Sequence, residues 1–164
     1  MTVTFRDMQR ADLDAVLALL AHWNLAPSAP SAENPHPERT EFTVENATVA
    51  VDGGRIIGVN SYIVLSPTVA EGASFAVAPA YRGRGIGKQL IDASRRKMYR
   101  RGIRTIKSEA DRPEVIRMFV ARGARIVGTV PKRHAFGSAE ADRWTVLEVD
   151  LDTLPEFAKG GARE

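Results

Sequence analysis

The amino-acid sequence predicts an α/β domain: a mixed central sheet, antiparallel in its first half and parallel across one helix, flanked by helices on both faces. Three observations lead there. The β-branched runs Ala47 to Val51 and Arg55 to Leu65 flank Asp52-Gly53-Gly54, a hairpin signal because glycine supplies the positive φ of a tight turn. A strand-like run from Glu71 to Ala78 leads into Arg82-Gly83-Arg84-Gly85-Ile86-Gly87, and a helical pattern follows with Ile86, Leu90, Ile91 and Met98 on one face. Ile103 to Ser108 then reads as a short strand; strand, helix, strand makes the two strands parallel.

The other elements fall on either side of this centre. Thr2 to Asp7 alternates, with Val3 and Phe5 on one side, as a first strand does. Between Ala11 and Trp23 the residues Leu13, Val16, Leu17, Leu20 and Trp23 recur at helical spacing, with Asp7 or Asp12 available as the cap. Pro27, Pro30, Pro35 and Pro37 then exclude any regular element from Ala26 to Pro37, which reads as a mobile loop or lid. Ser66-Pro67 turns the chain into the strand from Glu71, which ends at Pro79. The central helix runs from about Gly85 to Arg101 and stops at Gly102. Pro113 to Arg122 is the next helix, with Val115, Met118 and Phe119 as its apolar side and Gly123 at its stop. Ala124 to Val130 is a strand, Pro131 to Asp142 a polar loop, and Trp144 to Leu151 the last strand. Residues 1–151 form one domain on this reading, and 152–164 a partly flexible tail.

Composition narrows the classes. At 164 residues and 44% hydrophobic the chain can bury a sizeable core without a second domain. Its net charge of +3 is modest, and Arg95, Arg96, Lys97, Arg100, Arg101 and Arg104 read as the solvated side of a helix and its exit. Nucleic acid is disfavoured, because only Tyr99 interleaves with those cations where a single-strand platform needs several aromatics. The absence of cysteine excludes disulfides, thiolate ligands and a cysteine nucleophile. No His-x-x-x-His pair or carboxylate cluster suggests a metal. With no basic leader and no apolar run of membrane-spanning length, the expectation is a soluble, cytoplasmic protein.

The glycine-rich turn is the centre of any chemistry. Alternate glycines let the backbone approach a ligand, and the unpaired N–H groups of the next helical turn favour an anion. A dinucleotide fingerprint does not fit: the spacing is G-x-G-x-G, and Arg104, Thr105 and Ile106 stand where an acidic residue would end the second strand. Nor does a nucleotide P-loop, because Arg82 and Gln89 occupy its required Gly and Ser/Thr positions. The segment Val77 to Gly87 does resemble the acyl-CoA binding segment of the GNAT superfamily of N-acetyltransferases, whose signature is Arg or Gln, two residues, Gly, any residue, then Gly or Ala. Arg82, Gly85 and Gly87 fill it, and the order of elements matches from about Thr2 to Val149.

The resemblance implies a GNAT-like acyl-CoA N-acyltransferase fold, acetyl-CoA as cosubstrate, and transfer of its acetyl group to a primary amine of a small molecule or peptide. It places the cofactor on Val77, Ala78, Arg82, Gly83, Arg84, Gly85, Ile86, Gly87, Lys88 and Arg112. Amides from Arg82 to Gly87 would hold the pyrophosphate. Val77 and Ala78 would offer backbone groups to the pantetheine arm and the acyl carbonyl, where the parallel strands splay apart after Val77. A homodimer through the last strands is plausible by the same resemblance.

Two proton transfers remain. A lysine-like amine, with a pKa near about 10.4, is unprotonated at roughly one part in a few thousand at pH 7, so a base is needed. Glu71 lies eleven positions before Arg82, a separation like that of the glutamate base in the histone-acetylating branch, and it would act directly or through water; Glu41 and Glu45 are rivals. The leaving thiol, with a pKa of roughly 8.5, is less demanding. Many members carry a tyrosine four residues before a Gly-Phe pair to protonate it, whereas here the pair reads Gly123-Ala124 and the tyrosine position is Phe119. The role is then vacant, filled by water, or taken by another group such as Ser108 or His134. The frequent Asn seven residues before that position is Arg112, which could meet a cofactor phosphate. Arg39, Arg133 and His134 are either readers of an acceptor carboxylate or ordinary exposed cations, and His22, Trp23, Asn24 and His36 either pack or contact the acceptor. The vacant tyrosine position keeps a second class open, a non-catalytic acyl-CoA sensing or protein-interaction module.

Overall fold

A computed structural model describes residues 2–132 and 136–158. Seven strands form one sheet in the order β1-β2-β3-β4-β5-β7-β6: β1 Val3–Asp7, β2 Ala47–Asp52, β3 Arg55–Ser66, β4 Val69–Val77, β5 Thr105–Ala110, β6 Arg125–Pro131 and β7 Arg143–Asp150. Every neighbouring pair is antiparallel except β4 and β5. The helices are α1 Leu13–His22, α2 Ile86–Arg100, α3 Pro113–Ala121 and a single turn, α4 Pro155–Ala158.

Helix α1 covers one face over Val49, Val51, Val59 and Ala76, burying Val16, Leu19 and Leu20. Helix α2 covers the opposite face, with Ile86 and Leu90 against Ile57, Phe75 and Val77. Beside it Met98 joins Ile106, Leu147 and Val149 in a cluster that α3 borders through Val115, Ile116 and Phe119. The apolar spacing in the sequence thus assigns α2 its buried face correctly. It misassigns two cations of that helix, because Arg95 and Lys97 are buried. Lys97 Nζ donates to the Ala47 carbonyl at 3.1 Å and pairs with Asp7 at 3.0 Å, tying α2 to the β1–β2 edge. Arg95 Nη1 donates to the Arg122 carbonyl at 2.5 Å, at the end of α3 where the helix dipole favours a cation. Burial pushes the Arg95 guanidinium down to about 10.

Three helices end in the same way. Gly102 and Gly123 stand at positive φ, and the next residues, Ile103 and Ala124, donate back to Met98 and Phe119. Asn24 does the same for α1 at φ 57, with Leu25 N–H on the Leu20 carbonyl. That turn presents Trp23 to the open end of the sheet. The start of α1 differs from expectation: Asp12 does not cap it with its side chain but accepts from Gln9 N–H and from Arg6. Residues 26–37 carry no helix or strand, as their prolines require. Past Leu151, residues 152–158 are less tail-like than the sequence implied, since Phe157 is buried and stacks on Tyr99 at 4.5 Å.

Candidate active site

The parallel pair is short. Val69, Ala70 and Glu71 pair with Thr105, Ile106 and Lys107, and there the ladder ends. The sequence put the divergence after Val77; the strands in fact part at Gly72, three residues after β4 begins at Val69. A β-carbon on Gly72 would lie 2.7 Å from the Ser108 hydroxyl, so glycine lets Ser108 close over the first open position. Beyond it a cleft of about 550 Å³ runs between the strands, lined by Phe75, Val77, Arg82, Gly85, Lys88, Ser108, Arg112 and Phe119 among others. This is an ordinary size for a small-molecule site.

Backbone alternation decides which amides face the cleft. Ala78 N–H donates to the Ile57 carbonyl at 2.8 Å, so Ala76 and Ala78 bond to β3 while Phe75 and Val77 turn their polar groups toward the gap left by β5. The expected pair of Val77 and Ala78 is therefore corrected in one member: the Ala78 N–H is committed to the sheet, whereas the Phe75 N–H faces the gap. The Val77 carbonyl accepts the Trp23 indole N–H at 3.1 Å. That leaves the Phe75 and Val77 N–H groups facing the cleft.

At the wide end stands the glycine turn. Gly83 and Gly85 have φ +75 and +78, and a β-carbon on either would meet nothing within 4 Å. The cradle is open, not packed. Gly85 is the N-cap of α2, and no acidic residue occupies the first turn, so the N–H groups of Ile86, Gly87 and Lys88 lack intrahelical acceptors. Gly87 serves differently: a β-carbon there would lie 3.0 Å from Phe75 Cζ and 3.2 Å from Met118 Sδ, so glycine seats the helix against both. These features fit a phosphate group. Lys88 and Arg82 line the cleft, Arg82 paired with Glu114 at 3.3 Å, whereas Arg84 lies over the Tyr81 ring at 5.2 Å. Arg82 and Arg112 share the Trp23 ring, their guanidiniums 5.4 and 4.7 Å from its centroid.

The proton-transfer candidates separate. Glu71 occupies the last rung of the ladder, but its carboxylate accepts from Arg39 at 2.8 Å and does not line the cleft. Glu38, beside Arg39, is half-buried, lines the cleft and has no hydrogen-bond or ion-pair partner among the described residues. Sequence reasoning missed it, because a glutamate in a proline-rich loop carries no periodic signal. Of the two rivals, Glu41 borders an adjoining cavity of about 270 Å³ and Glu45 pairs with Arg10 at 3.5 Å. Ser108 lines the cleft, and Phe119 fills the expected tyrosine position with its ring 5.8 Å from Phe75. Tyr81 also lines the cleft, but its hydroxyl donates to Asp52 at 2.6 Å, which holds its pKa above the ordinary phenol range. Arg133 and His134 lie outside the described residues. Among the described residues no group of three or more metal-ligating side chains forms, and no helix is long and apolar enough to cross a membrane.

Residues 16–124 match the Acetyltransferase (GNAT) family. The chain belongs to that family. Its GNAT fold recurs in solved structures: Ard1 from Thermoplasma volcanium (TM-score 0.70, 17% identity, 92% of this chain and 99% of that one), a GCN5-related N-acetyltransferase from Kribbella flavida (0.68, 24%, 91% and 98%), and yncA from Salmonella typhimurium, solved with its cofactor acetyl-CoA (0.70, 19%, 93% and 95%). No curated protein matches the chain. As a GNAT protein it is an acetyl-CoA dependent N-acetyltransferase.

Proposed function

We propose that this acetyltransferase acts on a primary amine of a small molecule or peptide, in the cytoplasm, and that the acceptor enters from the side of residues 24–43. The observation that carries the reading is the three-rung β4–β5 ladder, which opens at Gly72 toward the unpaired amides of α2. Acetyl-CoA supplies an acyl group already activated as a thioester. The amides of Ile86, Gly87 and Lys88, with the Lys88 ammonium, bind its diphosphate. The Phe75 and Val77 N–H groups orient the pantetheine arm and hold negative charge on an acyl carbonyl oxygen. Ser108 donates a hydrogen bond toward the sulfur.

Glu71 takes the amine proton through water. Glu38 is the second reading, favoured by its unpartnered carboxylate in the cleft wall. Release of CoA with a panel of amines, measured against pH, tests both. Glu71→Gln is expected to lower kcat by about a hundred- to ten-thousandfold and to remove the acidic limb of the profile. The same result from Glu38→Gln alone moves the role to Glu38, and two unaffected variants refute a carboxylate base. A non-catalytic sensor would bind acetyl-CoA and release none above the no-acceptor rate. Absence of stabilisation by acetyl-CoA would refute the cofactor site itself.

A homodimer through the last strands belongs to the same reading. Its support is β6, an edge strand exposed along its whole length, with Ile126 56% and Val127 48% exposed. Sedimentation of a single protomer at assay concentration would refute it.

A further inference from the structure

We propose that Arg112 reads a carboxylate on the acceptor, so that the amine acetylated here belongs to an amino acid or a close relative of one. This rests on the cleft being an acetyl-transfer site, and it names the class of acceptor.

Arg112 lines the cleft half-buried, and among the described residues nothing accepts a hydrogen bond from it or pairs with it. Neighbouring arginines are spent: Arg39 on Glu71, Arg82 on Glu114 and Arg122 on Asp92. Only the face of the Arg112 guanidinium is engaged, against Trp23 at 4.7 Å. Stacking holds the group in place and leaves its five in-plane N–H donors free, which is the arrangement a carboxylate matches bidentately.

Its position is set by Trp23. Trp23 closes α1, which packs on the sheet face opposite α2 and its cradle, and the indole is fixed by its hydrogen bond to the Val77 carbonyl. Arg112 is therefore held at the end of α1; Arg82 of the glycine turn shares the same ring at 5.4 Å but is paired with Glu114, so Arg112 is the guanidinium left with its edge open. Along β4, Phe75 and Val77 are two residues apart, on the order of 7 Å. An acceptor with its nitrogen near the Phe75 amide would then carry its anion only a few bonds away. A phosphate of the cofactor offers similar chemistry, so the test must tell the two sources apart.

The test compares wild type, Arg112→Gln and Arg112→Lys, all as the full chain, on L-amino acids and on the amines obtained by decarboxylating them. Wild type is expected to prefer the carboxylate-bearing member of a pair, and Arg112→Gln to reduce that preference about ten- to hundredfold, mainly through KM. Arg112→Lys should recover part of it. Calorimetry with CoA and 3′-dephospho-CoA should give the same affinity ratio in all three proteins. A wild-type preference for decarboxylated amines, an equal KM rise for both members of a pair, or a CoA ratio that changes with Arg112 would each overturn the proposal. If wild type binds acetyl-CoA but acetylates nothing, the transfer reading fails separately. Titration of the amino acids into CoA-saturated protein then decides: binding that is lost in Arg112→Gln supports the proposal, and no binding overturns it.

Discussion

Asp111 and Lys132 form an ion pair with side chains only 6% and 4% exposed, at the edge of the cleft. One Asp111 oxygen accepts from Lys132 Nζ at 2.7 Å and from Ser138 N–H at 2.7 Å, and Lys132 also donates to the Ser138 carbonyl at 2.8 Å. Gly137 packs so closely that a β-carbon there would lie 2.5 Å from the carboxylate. Asp111→Ala strands a buried ammonium beside the Trp144 ring, which lies 4.7 Å away and cannot neutralise it. Breaking one side of such a pair costs about 3–5 kcal/mol, whereas replacing both partners by apolar groups is often neutral. At roughly 2–4 °C per kcal/mol for a chain of this size, Asp111→Ala should lower Tm by about 6–20 °C. Asp111→Ala with Lys132→Met should return most of that loss. Urea and thermal unfolding of the four proteins form a double-mutant cycle that reads the coupling directly. Because Phe136 and Trp144 both line the cleft, the single variant should also raise acceptor KM before it affects acetyl-CoA affinity. A cost under about 1 kcal/mol for Asp111→Ala, or a double variant no better than the single one, refutes the reasoning.

Further predictions concern the cradle, the vacant acid and acid stability. Gly85→Ala meets no atom but holds alanine at positive φ, and should cost about 1–2 kcal/mol in unfolding free energy. Gly87→Val pushes its side chain into Phe75 and Met118, so it should cost about 1–3 kcal/mol and weaken thermal stabilisation by acetyl-CoA more than Gly85→Ala does. Phe119→Tyr places a phenol on the cleft wall and should raise the rate of CoA release about tenfold or more; an unchanged rate would mean that thiol protonation does not limit turnover. Arg6 and Lys97, hydrogen-bonded to Asp12 and Asp7, hold those carboxyls below the usual range. Their stabilisation is complete above the unfolded value of about 4 and is lost as pH falls through the lower folded values. Urea midpoints should therefore be flat near neutrality and fall below about pH 4, with a shallower fall in Arg6→Ala.

What the sequence disclosed depended on the range of the interaction involved. Gly102 and Gly123 end their helices through contacts within five residues, and local chemistry identifies them. Asn24 makes the same turn but lacks the glycine signal. The hairpin at Gly53-Gly54 and the open cradle at Gly83 and Gly85 were equally legible, because each depends on local φ. Burial of Lys97 and Arg95 was not, since each is held by a backbone carbonyl, 50 and 27 residues away. Trp23 reaches Val77 across 54 residues, and nothing in the sequence announces that contact. The site followed the same rule. The glycine turn was plain, while the point where β4 and β5 part depends on where Gly72 meets Ser108, a tertiary event. Likewise, that Arg39 would engage Glu71 and leave Glu38 exposed to the cleft depends on how an irregular segment folds over the sheet.

A ladder of three rungs, preceded by the Arg104 and Thr105 N–H groups on the Thr68 carbonyl, joins the β1–β4 half of the sheet to the β5–β7–β6 half. Beyond Gly72 the two halves share no ladder, and Gly137 N–H on the Asn24 carbonyl bridges them from outside the sheet. Amides bordering such a seam should trade their protons with solvent quickly until a ligand bridges it. Hydrogen exchange at Phe75 and Val77 would then serve as a built-in gauge of occupancy, slowing when the gap is filled while the ladder at Ala70 and Ile106 keeps its own pace.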